Sequence, residues 1–236
     1  MIVPVLVVLL AIPSQPAAPE ATPYSLSGLP MRVVHDFGRL ATPAPLIALA
    51  AGGALAAAIH PADQRIVNSM SGSTPADDTL DGGALGGYLQ PFAAVAVYGI
   101  GGLTHRPAVA ELGSALVEAQ VVNGVLTQGI KYVADRTRPN GGSHSFPSGH
   151  TSATFATADV LEQRFGWKVG LFAYAGGVYV SLARITEREH YPSDVVFGAA
   201  LGIASARTVK IHTKHGTIAA YPVAMKGGAA VMFTVK

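Results

Sequence analysis

Three separated stretches of the chain place a cation or an imidazole where a bound phosphate needs one. They are Lys131-x6-Arg138-Pro139, Pro147-Ser148-Gly149-His150, and Arg184-x5-His190-x3-Asp194. A tetrahedral oxyanion needs fixed donors and positive charges around its oxygens, and a reaction at phosphorus also needs a nucleophile and a proton donor on opposite sides. Each of these parts is present once among the three stretches.

In order, spacing and composition, the three stretches resemble the signature of the type 2 phosphatidic acid phosphatase (PAP2) and haloperoxidase superfamily, in its bacterial envelope phosphatase branch. That superfamily includes class A acid phosphatases, lipid phosphate phosphatases and vanadium haloperoxidases. The resemblance runs from about Glu111 to Arg207. It departs at Ala183, where the family more often has serine before the arginine; the departure concerns a supporting hydroxyl and not a catalytic group.

The resemblance implies three catalytic residues. His190 corresponds to the nucleophile, which attacks phosphorus and forms a phosphohistidine. Asp194 corresponds to the carboxylate that orients this imidazole; if the chain turns helical after Pro192, the first turn can point the carboxylate back at the ring. His150 corresponds to the general acid that protonates the leaving oxygen and then acts as base for water.

The resemblance also implies a phosphate-binding set. Three side chains would hold the phosphoryl oxygens, namely Lys131, Arg138 and Arg184. The backbone N–H groups of Ser148 and Gly149 would add donors, because they stand at the start of a predicted helix from His150 to Arg164.

No metal or other cofactor is implied, although vanadate could occupy the phosphate site. The chain has no cysteine and no His-x3-His or Asp-x-Asp cluster, in agreement with a metal-independent site.

Each stretch alone has an ordinary structural explanation. The cations from Lys131 to Arg138 fit the solvated end of a helix that Pro139 stops. His150 and Asp194 fit first-turn residues of helices without chemical consequence. These explanations must all hold together for the site to be absent, so the joint occurrence favours the site.

Other polar residues lie beside the three stretches. His144, in the loop from Asn140 to Phe146, could touch a substrate head group, although exposure to solvent is the commoner case for such a histidine. Glu187, Arg188 and Glu189 fill the interval inside the third stretch, where many relatives carry apolar residues. The two carboxylates could tune substrate choice or pair with the arginine between them.

Composition places the chain near or in a membrane. Only 13% of the 236 residues are charged, and the mean hydropathy is +0.38, which is typical of an Ala/Gly-rich helical protein in that setting. A net charge of +2 and the lack of a basic–aromatic pattern exclude a nucleic-acid partner. We therefore expect membrane contact and a phosphorylated lipid or small phosphoester as the partner; the oligomeric state is not defined by the sequence.

The chain divides into three parts by composition. Residues 1–30 predict an export segment followed by a linker rich in Pro and Ala. Residues 31–212 predict a PAP2-type helical phosphatase domain. Residues 213–236 predict a tail with a β-hairpin around the turn Lys226-Gly227-Gly228.

The predicted fold class is all-α, a six-helix bundle of the PAP2 type with a small C-terminal β-hairpin. Apolar segments predict the helices near 44–60, 86–104, 110–133, 149–165, 168–184 and 193–209. The first two are uncharged over a length that could span a bilayer, which takes about 20 residues. Polar residues interrupt the third and fourth.

The predicted location is the cell envelope, as an exported or inner-membrane protein with the site on the periplasmic, outer side. An exported N-terminus, six membrane spans and an external site are mutually inconsistent, because counting crossings puts the segment after the third helix in the cytoplasm. An integral protein and a soluble, membrane-adjacent protein both remain open.

The function that the resemblance implies is hydrolysis of a phosphomonoester or diphosphate, with a lipid phosphate of the phosphatidic acid or isoprenyl diphosphate type as the substrate. One alternative is a vanadium-dependent haloperoxidase, but such enzymes generally have much longer chains. Another is a non-catalytic envelope protein that binds phospholipid. That protein would be expected to lack His190 or His150, and both are present.

Overall fold

The computed structural model describes residues 26–70, 86–87, 89–211, 218–225 and 228–235. Its elements, in chain order, are α1 (Leu29–Arg39), α2 (Pro43–Ile59), α3 (Asp63–Met70), α4 (Leu89–Leu103), α5 (Pro107–Ala134), α6 (Gly149–Phe165), α7 (Trp167–Thr186), α8 (Pro192–Thr208), β1 (Ile218–Met225) and β2 (Gly228–Val235). Single 3-10 turns precede α1 and join α2 to α3. The two strands pair antiparallel in register Ile218 to Val235.

The helical class predicted from the sequence is confirmed, and each predicted helix overlaps an observed one. The count of six is not confirmed, because it omitted α1 and α3. Both are short, and both carry charged residues, so neither stands out as an apolar run. The predicted export segment and the predicted hairpin turn at residues 226–227 lie outside the described residues.

Helices α5 to α8 form the part of the bundle that positions the site. Helix α6 packs side by side with α5, α7 and α8. Its contacts run antiparallel to α5 and α7 and parallel to α8, so the directions of the four helices alternate along the chain. The link between α6 and α7 is the single residue Gly166, whose φ of 87° lies in the left-handed region that favours glycine. Alternation brings the ends of α5 and α7 and the beginnings of α6 and α8 to one end of the bundle.

Close backbone approach fixes α8 against α6. A Cβ added to Gly198 would lie 2.7 Å from the carbonyl oxygen of Ser148, and one added to Gly202 would overlap that of Ser152. Only glycine permits this distance. The crossing therefore holds the first turn of α8 beside the start of α6.

Long apolar side chains face outward on separate helices. Those exposed by more than half on α2, α4, α5 and α7 include Ile47, Leu55, Phe92, Val95, Leu103, Val125, Leu171 and Phe172. By length and composition, three helical segments could cross a membrane: Pro43–Met70, Pro107–Ala134 and Trp167–Thr186. An apolar surface of this kind suits contact with lipid chains better than contact with water.

Candidate active site

The three sequence stretches meet where the four helix ends converge. Lys131 is in the last turn of α5, and a Cβ added to Gly149, the first residue of α6, would lie 3.8 Å from its Cε atom. The N–H of Ser148 donates to the carbonyl of Asp194 over 3.0 Å. Glu189 forms ion pairs with the arginines of the first and third stretches. The structure thus brings all eight predicted site residues together.

His190 and Asp194 form a buried imidazole–carboxylate pair. His190 is 1% exposed and Asp194 is fully buried. Helix α8 begins at Pro192, as the prediction requires, and the Asp194 Oδ2 atom accepts a hydrogen bond of 2.9 Å from the Tyr191 N–H. The His190 Nδ1 atom lies 3.7 Å from the same oxygen. A small shift of the ring would convert this ion-pair distance into a hydrogen bond.

Two further side chains hold the Asp194 carboxylate. Arg136 donates to Oδ1 over 2.6 Å, and the Ser145 hydroxyl donates to Oδ2 over 2.5 Å. Burial alone would raise the pKa of Asp194, but its interactions with His190, Ser145, Tyr191 and Arg136 outweigh burial and hold the pKa below its usual range. The carboxylate is therefore charged and fixed at neutral pH.

Arg136 also connects the site to α3. Its guanidinium donates to Asp63 over 2.8 Å and to the Ser193 hydroxyl over 2.8 Å, and it lies 4.1 Å from the centre of the Tyr191 ring. Asp63, 3% exposed, also accepts from the Ser193 N–H over 2.9 Å. Sequence reasoning gave Arg136 only the role of a solvated helix end and gave Asp63 none. No local spacing points to them, since Asp63 is 130 positions from Ser193.

Burial keeps both site histidines neutral at neutral pH. Burial lowers the pKa of His190 to about 4, although Asp194 acts in the opposite direction. Burial, reinforced by the charge of Arg184, lowers the pKa of His150 to about 4. A neutral imidazole is what a nucleophile requires, whereas a general acid needs a proton. The negative charge of a bound phosphate would favour protonation of His150.

The loop before α6 holds two of the cations. Lys131, 8% exposed, donates from Nζ to the carbonyl of His144 over 2.5 Å, and Arg138 donates from Nε to the carbonyl of Ser143 over 2.9 Å. The His144 ring lies 3.6 Å from a carboxylate oxygen of Asp135. Contact between His144 and a substrate head group stays a prediction.

The start of α6 has the form expected of a phosphate-binding helix end. The helix runs from Gly149 to Phe165, which agrees with the predicted range 149–165. Ser148 is fully buried, and its hydroxyl donates to Thr151 over 3.1 Å. The Ser148 N–H donates to the Asp194 carbonyl over 3.0 Å, so the predicted phosphate contact of this N–H is wrong. The Gly149 N–H, at the first position of the helix, remains as the backbone donor of the motif.

The two carboxylates of the third stretch pair with the site arginines. Glu189 contacts Arg138 in an ion pair, lies 3.3 Å from the Arg184 Nη2 atom, and accepts a hydrogen bond of 3.0 Å from Asn140. Glu187 accepts from the Arg184 Nη1 atom over 2.5 Å. The cationic cluster is therefore compensated within the chain.

A cavity of about 240 Å³ lies near the other end of α5, away from this cluster. Its lining includes Arg32, Asp36 and Glu118. Burial and the neighbouring charge of Glu118 raise the pKa of Asp36 to about 7. Glu118 precedes Lys131 by 13 positions on α5, about 20 Å along the helix. This cavity is thus separate from the site.

Comparison with known proteins identifies the helical domain. The model of the PAP2 superfamily matches residues 108–216. The lipid A 1-phosphatase of Porphyromonas gingivalis is 36% identical over 96 residues, which are 39% of this chain and 20% of that protein. The chain thus spans about a fifth of the length of the curated relative it matches.

Two solved structures share the fold. The crystal structure of Aquifex aeolicus LpxE aligns with a TM-score of 0.52 and 20% identity, covering 61% of this chain and 92% of that one. The first transmembrane PAP2-type phosphatidylglycerolphosphate phosphatase, from Bacillus subtilis, aligns with a TM-score of 0.59 and 22% identity, covering 70% and 92%.

With the three candidate spans, these relatives indicate a membrane protein. The matched region contains all three sequence stretches and, except for Pro107, the four helices that position them. The match of the family model identifies residues 108–216 as a PAP2 superfamily domain.

Proposed function

We propose that the chain is a metal-independent phosphatase that hydrolyses a lipid phosphomonoester or diphosphate through a phosphohistidine at His190. The observation that carries the proposal is the grouping of three cations around a buried imidazole–carboxylate pair. Lys131, Arg184 and His190 are each exposed by 8% or less. Fixed positive charges beside a neutral imidazole are the arrangement that binding and transfer of a phosphoryl group require.

In the first step the phosphoryl group is bound and transferred. The three cations and the backbone N–H of Gly149 hold its oxygens, because the Ser148 N–H already donates to the Asp194 carbonyl. The neutral Nε2 of His190 attacks phosphorus, so a P–N bond forms as the bond to the leaving oxygen breaks. His150 donates its proton to that oxygen, and the charge of Asp194 stabilises the imidazolium.

In the second step water hydrolyses the intermediate. His150, now neutral, takes a proton from the attacking water, whose oxygen bonds to phosphorus as the P–N bond breaks. Inorganic phosphate leaves, and His190 returns to the neutral state. Lys131 and the arginines stabilise the charge on the phosphoryl oxygens in both steps.

A lipid substrate is supported by two observations. The named relatives include phosphatases of lipid A and of phosphatidylglycerolphosphate. The outward faces of α2, α4 and α7 are apolar, so the site end of the bundle would stand at a membrane surface.

Phosphatidic acid and an isoprenyl diphosphate are the candidate substrates, with the site on the periplasmic side. Vanadate, which resembles the transferring phosphoryl group, should occupy the same position.

The test is phosphate release by the purified full chain in the presence of a chelator. Phosphatidic acid, an isoprenyl diphosphate and a soluble aryl phosphate are compared, with His190→Ala as the inactive variant. His35→Ala is the matched control, because His35 is exposed on α1 at the other end of the bundle. Radiolabelled substrate should leave an acid-labile, base-stable label on the protein.

Chelator-resistant release that His190→Ala abolishes and His35→Ala retains is the expected result. Near-normal turnover by a folded His190→Ala protein would contradict the assignment of the nucleophile. Release that stops on chelation would contradict the metal-independent reaction.

A further inference from the structure

Glu189 occupies the position between two arginines that the proposed function gives to a phosphate. Its Oε2 atom contacts Arg138 in an ion pair and lies 3.3 Å from Arg184 Nη2. Its Oε1 atom accepts from Asn140 over 3.0 Å. Both carboxylate oxygens are therefore engaged, and they join the loop after α5 to the end of α7.

The backbone keeps this carboxylate next to its partners. The N–H groups of Glu189 and His190 both donate to the carbonyl of Arg184, over 3.1 and 3.2 Å. Arg188, just before, has a φ of 58°, in the left-handed region. This tight turn fixes the Glu189 Cα beside the site, so rotation of its side chain alone can engage or release the arginines.

We propose that the Glu189 carboxylate is an internal competitor for the guanidinium groups of Arg138 and Arg184, and that a phosphoryl dianion must displace it to bind. The inference rests on the proposed function, since it needs these arginines to bind phosphate. A carboxylate carries one charge and two acceptor oxygens, whereas a terminal phosphate carries up to two charges and three such oxygens. A dianion is thus the better partner for two guanidinium groups.

Competition has a defined effect on affinity. When the binding-competent state is only a fraction of the population, the apparent dissociation constant rises by the inverse of that fraction. A site held closed by Glu189 about nine-tenths of the time would bind phosphate about tenfold more weakly than an open one. The same competition would speed the release of inorganic phosphate after turnover. It would also make the enzyme prefer dianionic over monoanionic phosphate substrates.

A purely positioning role makes the opposite prediction. If Glu189 only holds the arginines in place, its neutralisation lets them move and weakens phosphate binding. If it competes, neutralisation strengthens binding. The sign of the change therefore separates the two roles.

The experiment measures the affinity of the full chain, in detergent micelles, for inorganic phosphate by calorimetry. Glu189→Gln keeps the size of the side chain and removes its charge, and Glu189→Ala removes both. Asp135→Asn is the matched control. It removes one charge near the site, its side chain is 71% exposed, and asparagine suits its φ of 38°. The Michaelis constant for the lipid substrate is measured in parallel, so that free phosphate and lipid phosphate are compared.

The expected result is phosphate binding about tenfold tighter in both Glu189 variants and changed less than about twofold in Asp135→Asn. A lower Michaelis constant and stronger product inhibition should accompany it. Unchanged or weaker binding in Glu189→Gln, alongside chelator-resistant turnover that requires His190, overturns the competition and leaves the phosphatase proposal intact. Absence of phosphate binding in all of the folded proteins overturns both.

Discussion

Arg136 and Asp194 are joined by an ion pair of 2.6 Å across 58 positions of the chain. The same guanidinium reaches Asp63 over 2.8 Å. One planar group thus links the first turn of α8, the loop after α5 and the start of α3, and it neutralises two buried carboxylates. Lysine has a single point of charge and cannot span both.

Arg136→Lys is expected to lower kcat by about 100-fold, because a misplaced Asp194 no longer holds the imidazole of His190 in position. KM should change less than about threefold, since the side-chain contacts of Arg136 are with Asp63, Ser193 and Asp194 and not with the cations proposed to bind phosphate. Steady-state kinetics with a soluble aryl phosphate provide both constants.

Arg65→Lys is the control for this prediction, because Arg65 is exposed on α3. Its kinetic constants should equal those of the unmodified protein. A large rise in KM with unchanged kcat in Arg136→Lys would mean that Arg136 binds substrate directly.

His150→Ala should affect substrates according to their leaving group. Loss of a general acid typically costs about 10²- to 10⁴-fold when the leaving oxygen is basic. We expect at least a 100-fold loss of kcat/KM for an alkyl phosphate and a loss under tenfold for an aryl phosphate with an acidic phenol. Equal losses for the two substrates would contradict the role.

The pH dependence of the unmodified protein follows from the pKa of His150, which burial lowers to about 4. Only protonated His150 can donate, so kcat/KM for the alkyl phosphate should fall as the pH rises above this value. Bound phosphate is negative and raises the pKa, so the falling limb of kcat should lie at higher pH than that of kcat/KM. In His150→Ala the falling limbs of kcat and of kcat/KM should no longer lie at different pH values.

The helices that carry the site could be predicted because residues at or next to their first and last positions mark where they begin and end. Two helices begin at a proline, α5 at Pro107 and α8 at Pro192, and Gly166 separates α6 from α7. The segments between these positions are mainly apolar. The observed α5 to α8 accordingly begin and end within three residues of the predicted bounds. The residues proposed to react or to bind phosphate could also be proposed from local patterns, since each motif spans few positions.

The groups that hold the reacting residues could not be found in this way. Asp63 meets Ser193 across 130 positions, and Ser145 meets Asp194 across 49. Such contacts depend on how α3 and the loop before α6 fold back onto α8, which helix-scale patterns do not encode. The pairing of Glu189 with Arg138, across 51 positions, is of the same kind.

Gly202→Ala should destabilise the bundle, because the added methyl group would overlap the Ser152 carbonyl on α6. Overpacking of this kind costs about 1 to 3 kcal/mol. Gly129→Ala is the matched control on α5, where a Cβ meets no atom within 4 Å. That change should be neutral or stabilise by less than about 1 kcal/mol. Thermal unfolding in detergent measures both, and equal melting temperatures would contradict the α6–α8 crossing.

Val178→Asp tests whether α7 enters lipid. Val178 lies near the middle of this 20-residue helix, and 49% of its surface is exposed. An aspartate at the centre of a membrane-spanning helix costs about 3 kcal/mol, whereas the same change on a water-exposed helix face costs little. Val178→Asp should therefore reduce the amount of protein that stays in membranes after an alkaline carbonate wash.

Met31→Asp is the control for this change, because Met31 is 61% exposed on α1, outside the three candidate spans. It should leave membrane retention unchanged. If both variants are folded and equally retained, the exposed face of α7 around Val178 is not a lipid contact. If only Val178→Asp is lost, the outward apolar face of α7 is a lipid contact, and the site at its end stands where a lipid phosphate can reach it.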